Sequence, residues 1–263
     1  MGQEPLSIGV GQLALGLLFI LAAGLTSLFH ALKLERDLAV GTVRTFVQLL
    51  ALGYALHFLF RLKHAGSVLA VFAFMIVFAA WTIRGRVTER GVTFFWPTLL
   101  SMMVTYALVS FTVTALVIGA KPWWEPHYFI PLGGMVIGNS MNAIAIALDR
   151  LFDDLRLRRP ELEMKLSLGA TYQEATKESV GRAMRAGMIP SINSMMAVGV
   201  VFIPGMMTGQ ILAGVDPLLA VRYQIVVMVM IVGATAVGSL LVVLLARRRC
   251  FSAAHQLLLR AKK

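Results

Sequence analysis

Of the 263 residues, 58% are hydrophobic and only 14% are charged, against roughly 25% charged residues in a soluble domain. This composition excludes a soluble globular domain and predicts a polytopic membrane protein, because several apolar runs reach the roughly 20 residues that cross a bilayer core as a helix. The net charge of +11 is then typical of a basic cytoplasmic side rather than of a nucleic-acid-binding protein, and the one cysteine excludes an internal disulfide.

The apolar runs predict seven transmembrane helices within one membrane domain, 1–263. Each span is expected to be helical, because backbone N–H and C=O groups in lipid need partners within the chain. The predicted spans are 8–29, 40–60, 67–83, 97–118, 128–148, 188–212 and 219–246. The expected fold class is therefore all-α and polytopic.

The distribution of basic residues predicts the side of the membrane that each connection faces. Most of the 24 Lys and Arg residues fall in four segments, 33–36, 84–90, 150–185 and 247–263. With seven spans these segments share one side, and the other side has only Arg61, Lys63, Lys121 and Arg222. Since Lys and Arg accumulate on the cytoplasmic side, we expect the N-terminus outside and the C-terminus in the cytoplasm. Losing one span would scramble this separation.

The one long connection, 149–187, predicts a cytoplasmic elbow of two helices. The first helix is expected over 160–168 and should end at Gly169, since glycine best tolerates the left-handed conformation that closes a helix. Thr171 with Glu174 three residues later forms a capping box. The second helix should therefore begin there and run on toward the sixth span.

Polar side chains interrupt the fifth and sixth spans. The string N-S-M-x-A begins at Asn139 and again at Asn193, each time inside an apolar run. An unpaired amide in hydrocarbon costs several kcal/mol, so these residues need partners or water. They either bond across helices or line a path for a polar substrate. The candidate path residues are Asn139, Ser140, Asn142, Ser191, Asn193, Ser194 and Met195.

Candidate metal ligands are sparse in the spans. No carboxylate lies well inside a span, so amides, hydroxyls and thioethers would suit only transient passage of a metal ion or metal complex. The methionines of the sixth span either contact a soft metal or fill gaps in a mobile bundle. The five His residues show no ligand spacing, and no metal site with named ligands is predicted.

Proline and glycine in the sixth span predict either a gate or static close packing. Pro204 interrupts the span, and Gly205 and Gly209 follow it in a GxxxG spacing, which lets helices approach closely. Pro190 lies where the elbow meets the span and is a second hinge candidate.

The C-terminal tail, 247–263, is strongly basic and carries apolar residues at helical spacing. This pattern is typical of an amphipathic helix that lies on a membrane surface. We therefore expect a helical tail on the inner leaflet, in contact with lipid.

The elbow sequence E-M-K-L-S-L-G-A, starting at Glu163, resembles the "EAA" loop of ABC transporter permeases, in which it docks into a cleft on the ATPase subunit. Met164 and Lys165 stand where that motif has two alanines. The alternative interpretation is a solvated amphipathic loop. The residues that the resemblance implies for ATPase coupling are Glu163, Leu166, Leu168, Gly169 and Ala170.

Nearly the whole chain resembles the FetB-type iron-export ABC transporter permeases, which are related to plant aluminium-tolerance membrane proteins. The segments that carry the resemblance are VRTFVQLLALGYAL, GMVIGNSMNAIAIALDRL, LSLGAT and MIPSINSMMAVGVVFIPGMMTGQILAGVDPLLAVRYQI. The resemblance implies a transport subunit in a bacterial inner membrane that exports iron or a related metal by ATP-driven alternating access.

The same resemblance implies the partners. ATP and Mg would bind a separate ATP-binding subunit, usually in an assembly of two permeases and two ATPases, and this chain would hold no cofactor and would not itself be an enzyme. No GxxxxGK[ST] phosphate loop occurs in the sequence, as such a division of labour requires. The alternatives left open are another metal, a metal chelate or a sugar nucleotide as substrate, and a membrane scaffold or secondary carrier.

Overall fold

A computed structural model describes residues 9–61 and 64–259 of the chain. The predicted start of the first span at residue 8, Lys63 and the last residues of the tail lie outside the described residues. Within them every regular element is helical, which confirms the all-α expectation. The helices are α1 (Val10–Phe29), α2 (Glu35–Leu59), α3 (Ala65–Arg86), α4 (Phe95–Phe111), α5 (Pro126–Leu157), α6 (Arg159–Ser167), α7 (Tyr172–Ala175), α8 (Lys177–Ala197), α9 (Gly205–Leu212) and α10 (Pro217–Arg249).

Six of the described helices are long and apolar enough to cross a membrane, namely α1, α2, α3, α5, α10 and α4 with its π-helical extension Thr112–Val117. The sixth predicted span, 188–212, is instead divided between α8 and α9. Gly199 has a φ of +82° and its N–H donates to the carbonyl of Phe202 at 3.0 Å, which closes a tight turn. Pro204 then precedes the new helix, so this part of the chain forms a discontinuous helix.

The chain divides into two compact units. Among the described residues, the first comprises 9–61 and 212–214, and the second comprises 64–211 and 215–259. In the first unit, the buried Ser27 joins α1 to α2, because its hydroxyl donates to Glu35 Oε1 at 2.7 Å and accepts the Leu34 N–H at 3.0 Å. The remaining surface of both helices is largely apolar and exposed, a composition typical of membrane-spanning helices.

The second unit is built around α5, which packs against α3, α8 and α10, while α4 packs against α10. At one end, the connection between α3 and α4 is tied to α5 by polar contacts. Asp149 accepts hydrogen bonds of 2.9 Å from both the backbone N–H and the hydroxyl of Thr88. The buried Glu89 pairs with Arg156 near the end of α5.

The prediction of a helical tail is wrong for the described residues. After α10 the chain folds back, with Leu258 N–H donating to the Cys250 carbonyl at 2.8 Å and a β-bridge between Phe251 and Leu257. Phe251 stacks on Tyr172 with ring centroids 5.4 Å apart. Both bridge residues are buried, so the apolar side chains of this hairpin cover α7 rather than form a helical stripe.

Candidate functional site

The first elbow helix, α6, ends as its sequence predicts. Gly169 has a φ of +91°, a conformation that a side chain disfavours. Its N–H donates to Leu166 O and the Ala170 N–H donates to Lys165 O, each at 3.0 Å. These bonds satisfy carbonyls that the end of a helix leaves without partners, so the chain reverses direction at a fixed position.

The second elbow helix begins with the predicted capping box. The Thr171 hydroxyl accepts the Glu174 N–H, and Glu174 Oε2 accepts the Thr171 N–H at 2.8 Å. The backbone N–H of Thr171 therefore holds the pKa of Glu174 below its usual value. This helix has one break, at the buried Thr176, so the predicted second helix consists of α7 followed by α8.

The tip of the elbow exposes apolar side chains. Polar residues of the same helix form hydrogen bonds with one another beside them. Leu168 is 80% exposed and Met164 is 56% exposed. Glu161 accepts hydrogen bonds from Lys165 at 2.7 Å and from Arg158 at 2.6 Å, and these two cations, Lys165 first, lower its pKa. The tip is thus a fixed helix end with an exposed apolar surface.

The predicted coupling residues lie together at this tip. Glu163 is exposed and pairs with Arg159 on its own helix at 2.7 Å. Leu166 and Ala170 are half-buried, and Leu168 and Gly169 are exposed. Leu168 therefore adds an exposed apolar side chain to an otherwise polar helix end.

α8 runs antiparallel to α5 and is fixed to it at three levels. Glu178 pairs with Arg158 at 2.6 Å, and Arg182 pairs with the buried Asp154 at 3.1 Å. Further along, a Cβ atom at Gly187 would lie 2.6 Å from the Ala143 carbonyl oxygen. The absence of a side chain there lets the two backbones touch. Together, the three contacts hold α8, which continues the elbow, against α5.

The three polar residues of the fifth span divide between a buried and an exposed side of α5. Ser140 is buried and shares a 2.9 Å hydrogen bond with Thr235 of α10. Asn139 is exposed and donates to the Met135 carbonyl of its own helix at 2.8 Å. Asn142 is exposed and accepts a hydrogen bond from Arg86 of α3. Ser140 thus braces α5 against α10, and the two amides face outward from the unit.

The α8 candidates continue this outward-facing surface. Asn193, Ser194 and Met195 are exposed and Ser191 is half-buried. The antiparallel register at Gly187 puts the next turn of α8 beside the turn of α5 that carries Asn139. Among the described residues, no hydrogen bond joins the α5 amides to these α8 side chains.

The proposed gate residues surround the discontinuity between α8 and α9. Pro190 lies inside α8 and does not end it. Pro204 precedes α9, which begins at Gly205 and contains Gly209. Val200 in the intervening turn is 89% exposed. If this turn lies at membrane depth, its non-helical backbone requires cover by protein or contact with water.

Two features of the second unit were not found from the sequence. Arg86 belongs to the segment 84–90, which the charge distribution predicts to be cytoplasmic, and its contact with Asn142 depends on how α3 packs on α5. Four buried hydroxyls on α4 and α10 have no hydrogen-bond partner within the described residues; they belong to Ser101, Thr105, Ser110 and Ser239. Ser101 and Thr105 are four residues apart and share a face of α4, and that spacing was the signal that could have revealed part of this set.

The described residues contain no cluster of three or more His, Cys, Asp or Glu side chains that could hold a metal ion. The outward-facing surface of α5 and α8 offers amide, hydroxyl and thioether groups instead. Such neutral ligands bind a hard cation weakly compared with carboxylates, which suits a surface for passage more than one for storage.

Comparison with known proteins gives the family. The chain matches an uncharacterised protein family, UPF0014, over residues 10–251. It is 36% identical over 230 residues to the UPF0014 membrane protein slr1647 of Synechocystis, covering 88% of this chain and 89% of the relative. It is 34% identical to ALUMINUM SENSITIVE 3 of Arabidopsis thaliana over 251 residues, covering 95% and 90%.

A third relative is the probable iron export permease protein FetB of Escherichia coli, 31% identical over 246 residues, which cover 94% of this chain and 93% of that protein. No solved structure matches the chain. Since the family match spans almost all of the described residues and the relatives align over most of their own lengths, this chain is a membrane protein of the UPF0014 family.

Proposed function

We propose that this chain is the permease subunit of an ABC transporter that exports iron or a related metal from the cytoplasm. The observation that carries the proposal is the exposed apolar tip of the elbow, at Leu168 and Met164, on a helical unit fixed to α5. The resemblance of this tip to the coupling loop of ABC permeases and the similarity of the chain to FetB both support it.

The geometry suggests how ATP hydrolysis would act on the membrane part. A partner ATPase that closes on the tip would push α6 and α7 toward α8. α8 is continuous from Lys177 through Pro190 to Ala197, so a displacement at the tip reaches the discontinuity before α9. Pro204, Gly205 and Gly209 would then absorb the change, and the polar surface would open on alternate sides.

The substrate assignment rests on the similarity to FetB and on the chemistry of the surface. Asn139, Asn193 and Ser194 offer neutral oxygen ligands, and Met195 adds a thioether, while the Asn142 oxygen accepts a hydrogen bond from Arg86. Another metal, a metal chelate or a sugar nucleotide remains the alternative substrate. ATP and Mg would bind the partner subunit, and the assembly would contain two permeases and two ATPases in a bacterial inner membrane.

The test is ATP-dependent iron accumulation in inside-out vesicles that contain this chain and its ATP-binding subunit. Leu168→Glu should reduce accumulation about tenfold or more, because a charge replaces an apolar anchor in a protein interface. Leu157→Glu is the matched control, since Leu157 at the end of α5 is 79% exposed and lies outside the coupling residues. Leu168 is a cleaner site than Glu163, whose replacement would also break the pair with Arg159.

The outcomes separate the parts of the proposal. Normal transport by Leu168→Glu would contradict the coupling role of the tip. If the wild-type chain stimulates the ATPase without accumulating iron, the permease role stands and iron is not the substrate. If it neither stimulates the ATPase nor accumulates iron, the ABC assignment fails.

A further inference from the structure

A cavity of about 1300 Å³ lies at the end of the second unit where α10 finishes and α4 begins. One wall consists of the first turns of α4, including Trp96 and Leu100. The opposite wall is the end of α10 with Leu245 and Arg248. The hairpin of the tail and the start of α7 close the remaining sides. The cavity therefore lies beside the elbow at the level where two membrane helices leave the bilayer.

The lining of this cavity is cationic. Arg248, Arg249 and His255 line it, and none of the described residues that line it is an Asp or a Glu. Within the described part of the chain neither arginine is within ion-pair distance of a carboxylate. The Tyr172 N–H donates to His255 Nδ1 at 3.2 Å, so in the neutral imidazole the proton resides on Nε2. Every charged or titratable group of the lining can thus donate hydrogen bonds to an anion.

The same cavity has an apolar side formed by residues of α4 and α10, two of the candidate membrane-spanning helices. Trp96 is 71% exposed and Leu100 is 62% exposed, and Leu245 is exposed on α10. Tryptophan is enriched at the boundary between hydrocarbon and headgroups. A ligand that fits this lining must combine an anionic head with a hydrocarbon chain, because a wholly polar ligand would leave the leucines uncovered.

A smaller cavity of about 150 Å³ continues the cationic surface on the other side of Trp96, with Arg84 and Arg90 in its lining. Its lining also includes Glu89, which pairs with Arg156. Basic clusters at the cytoplasmic end of membrane helices are the usual binding sites for anionic lipid headgroups.

We propose that the larger cavity binds an acidic phospholipid of the cytoplasmic leaflet. Its phosphate lies on Arg248 and Arg249, and its acyl chain follows Leu100 and Leu245 out into the bilayer. This site is separate from the transport surface of α5 and α8. Its occupancy requires neither ATP nor a partner subunit, so it can be tested whether or not the proposed function is correct.

The experiment is native mass spectrometry of the purified full chain in mild detergent with added phosphatidylglycerol or phosphatidylcholine. The wild-type chain should retain phosphatidylglycerol in preference to phosphatidylcholine. In the double variant Arg248→Gln/Arg249→Gln this retention should fall about tenfold or more, the effect expected for two cations near a headgroup. The matched control, Arg150→Gln/Arg185→Gln, removes two exposed charges outside the cavity and should retain the lipid.

A third variant, Arg248→Lys/Arg249→Lys, keeps both charges and should retain most of the binding, which separates loss of charge from loss of folding. Equal retention of both lipids by the wild-type chain would overturn the proposal, as would unchanged retention in the Arg248→Gln/Arg249→Gln variant. An excess of inorganic phosphate should leave the lipid bound. Complete displacement by inorganic phosphate would assign the site to a free anion and overturn the lipid proposal.

Discussion

Gly187 lies where the backbone of α8 is in close contact with α5, and it carries the first prediction. A Cβ at this position would lie 2.6 Å from Ala143 O and 2.9 Å from Ala147 Cβ. The first is a backbone atom of α5 and the second is a Cβ fixed to that backbone, so neither can rotate away. Gly187→Ala should therefore force the helices apart and lower the free energy of unfolding by roughly 1–3 kcal/mol.

Gly181 is the matched control, because it lies on the same helix and a Cβ there would meet nothing within 4 Å. Gly181→Ala should leave stability unchanged or raise it by up to about 1 kcal/mol through helix propensity. The thermal unfolding midpoint of the purified chain in detergent measures both variants. If Gly187→Ala unfolds at the same temperature as the wild-type chain, the close crossing of α5 and α8 is wrong.

Single residues were predictable from the sequence where the forces on them are local. Gly169 ends α6, and Thr171 with Glu174 starts α7, because the bonds involved span only a few residues. The different environments of Asn139 and Ser140 were not predictable. Adjacent residues on a helix point about 100° apart, and which of them is buried depends on where α10 packs.

At the scale of the element, α5 carries polar groups of two kinds. Those on its buried face bond to a neighbouring helix, and those on its other face are exposed. Its buried face carries Ser140 with its bond to Thr235, and its exposed face carries Asn139. Interhelical hydrogen bonds in membranes contribute on average about 0.6 kcal/mol and at most about 1.7. Ser140→Ala should therefore lower the unfolding midpoint slightly and leave transport per folded protein unchanged.

Asn139→Ala is the counterpart, because it removes an amide from the proposed path without emptying a buried contact. Its unfolding midpoint should match that of the wild-type chain, and ATP-dependent transport should fall several-fold. Transport by each variant is measured in equivalent inside-out vesicles, and the amount of folded protein is determined by gel filtration after solubilisation. If Ser140 is needed for transport and Asn139 only for stability, the exposed face of α5 does not line the path.

The sixth span and the tail show which elements a sequence pattern leaves undecided. Pro204 indicated an interruption in 188–212, but the turn is closed at Gly199. Nothing in the sequence around Gly199 distinguished it from a glycine that only allows close helix packing. In the tail, the apolar spacing fitted a helix, yet those side chains pair across a hairpin and pack on Tyr172. Both outcomes depend on tertiary contacts that override local spacing.

At the scale of the whole molecule, the discontinuous segment decides how many times the chain crosses the membrane. The charge distribution favours seven crossings, with α8 and α9 together making the sixth. If this pair entered and left on one side, only α5 and α10 would separate Lys121 from the tail. Lys121 and the tail would then lie on the same side of the membrane. If the α8–α9 pair also crosses, three crossings separate them and they lie on opposite sides.

Cys250 makes this arrangement measurable without a cysteine-free background. Burial raises the pKa of its thiol to about 12, against an opposing effect of Arg156, so almost none of it is the reactive thiolate at neutral pH. Lys121→Cys and Ala254→Cys each add one exposed thiol. A membrane-impermeant maleimide on intact cells should label Lys121→Cys, and Ala254→Cys should be labelled only after lysis. Labelling of both in intact cells, or of neither, would show that α8 and α9 do not cross, and the opposite order would reverse the orientation of the chain.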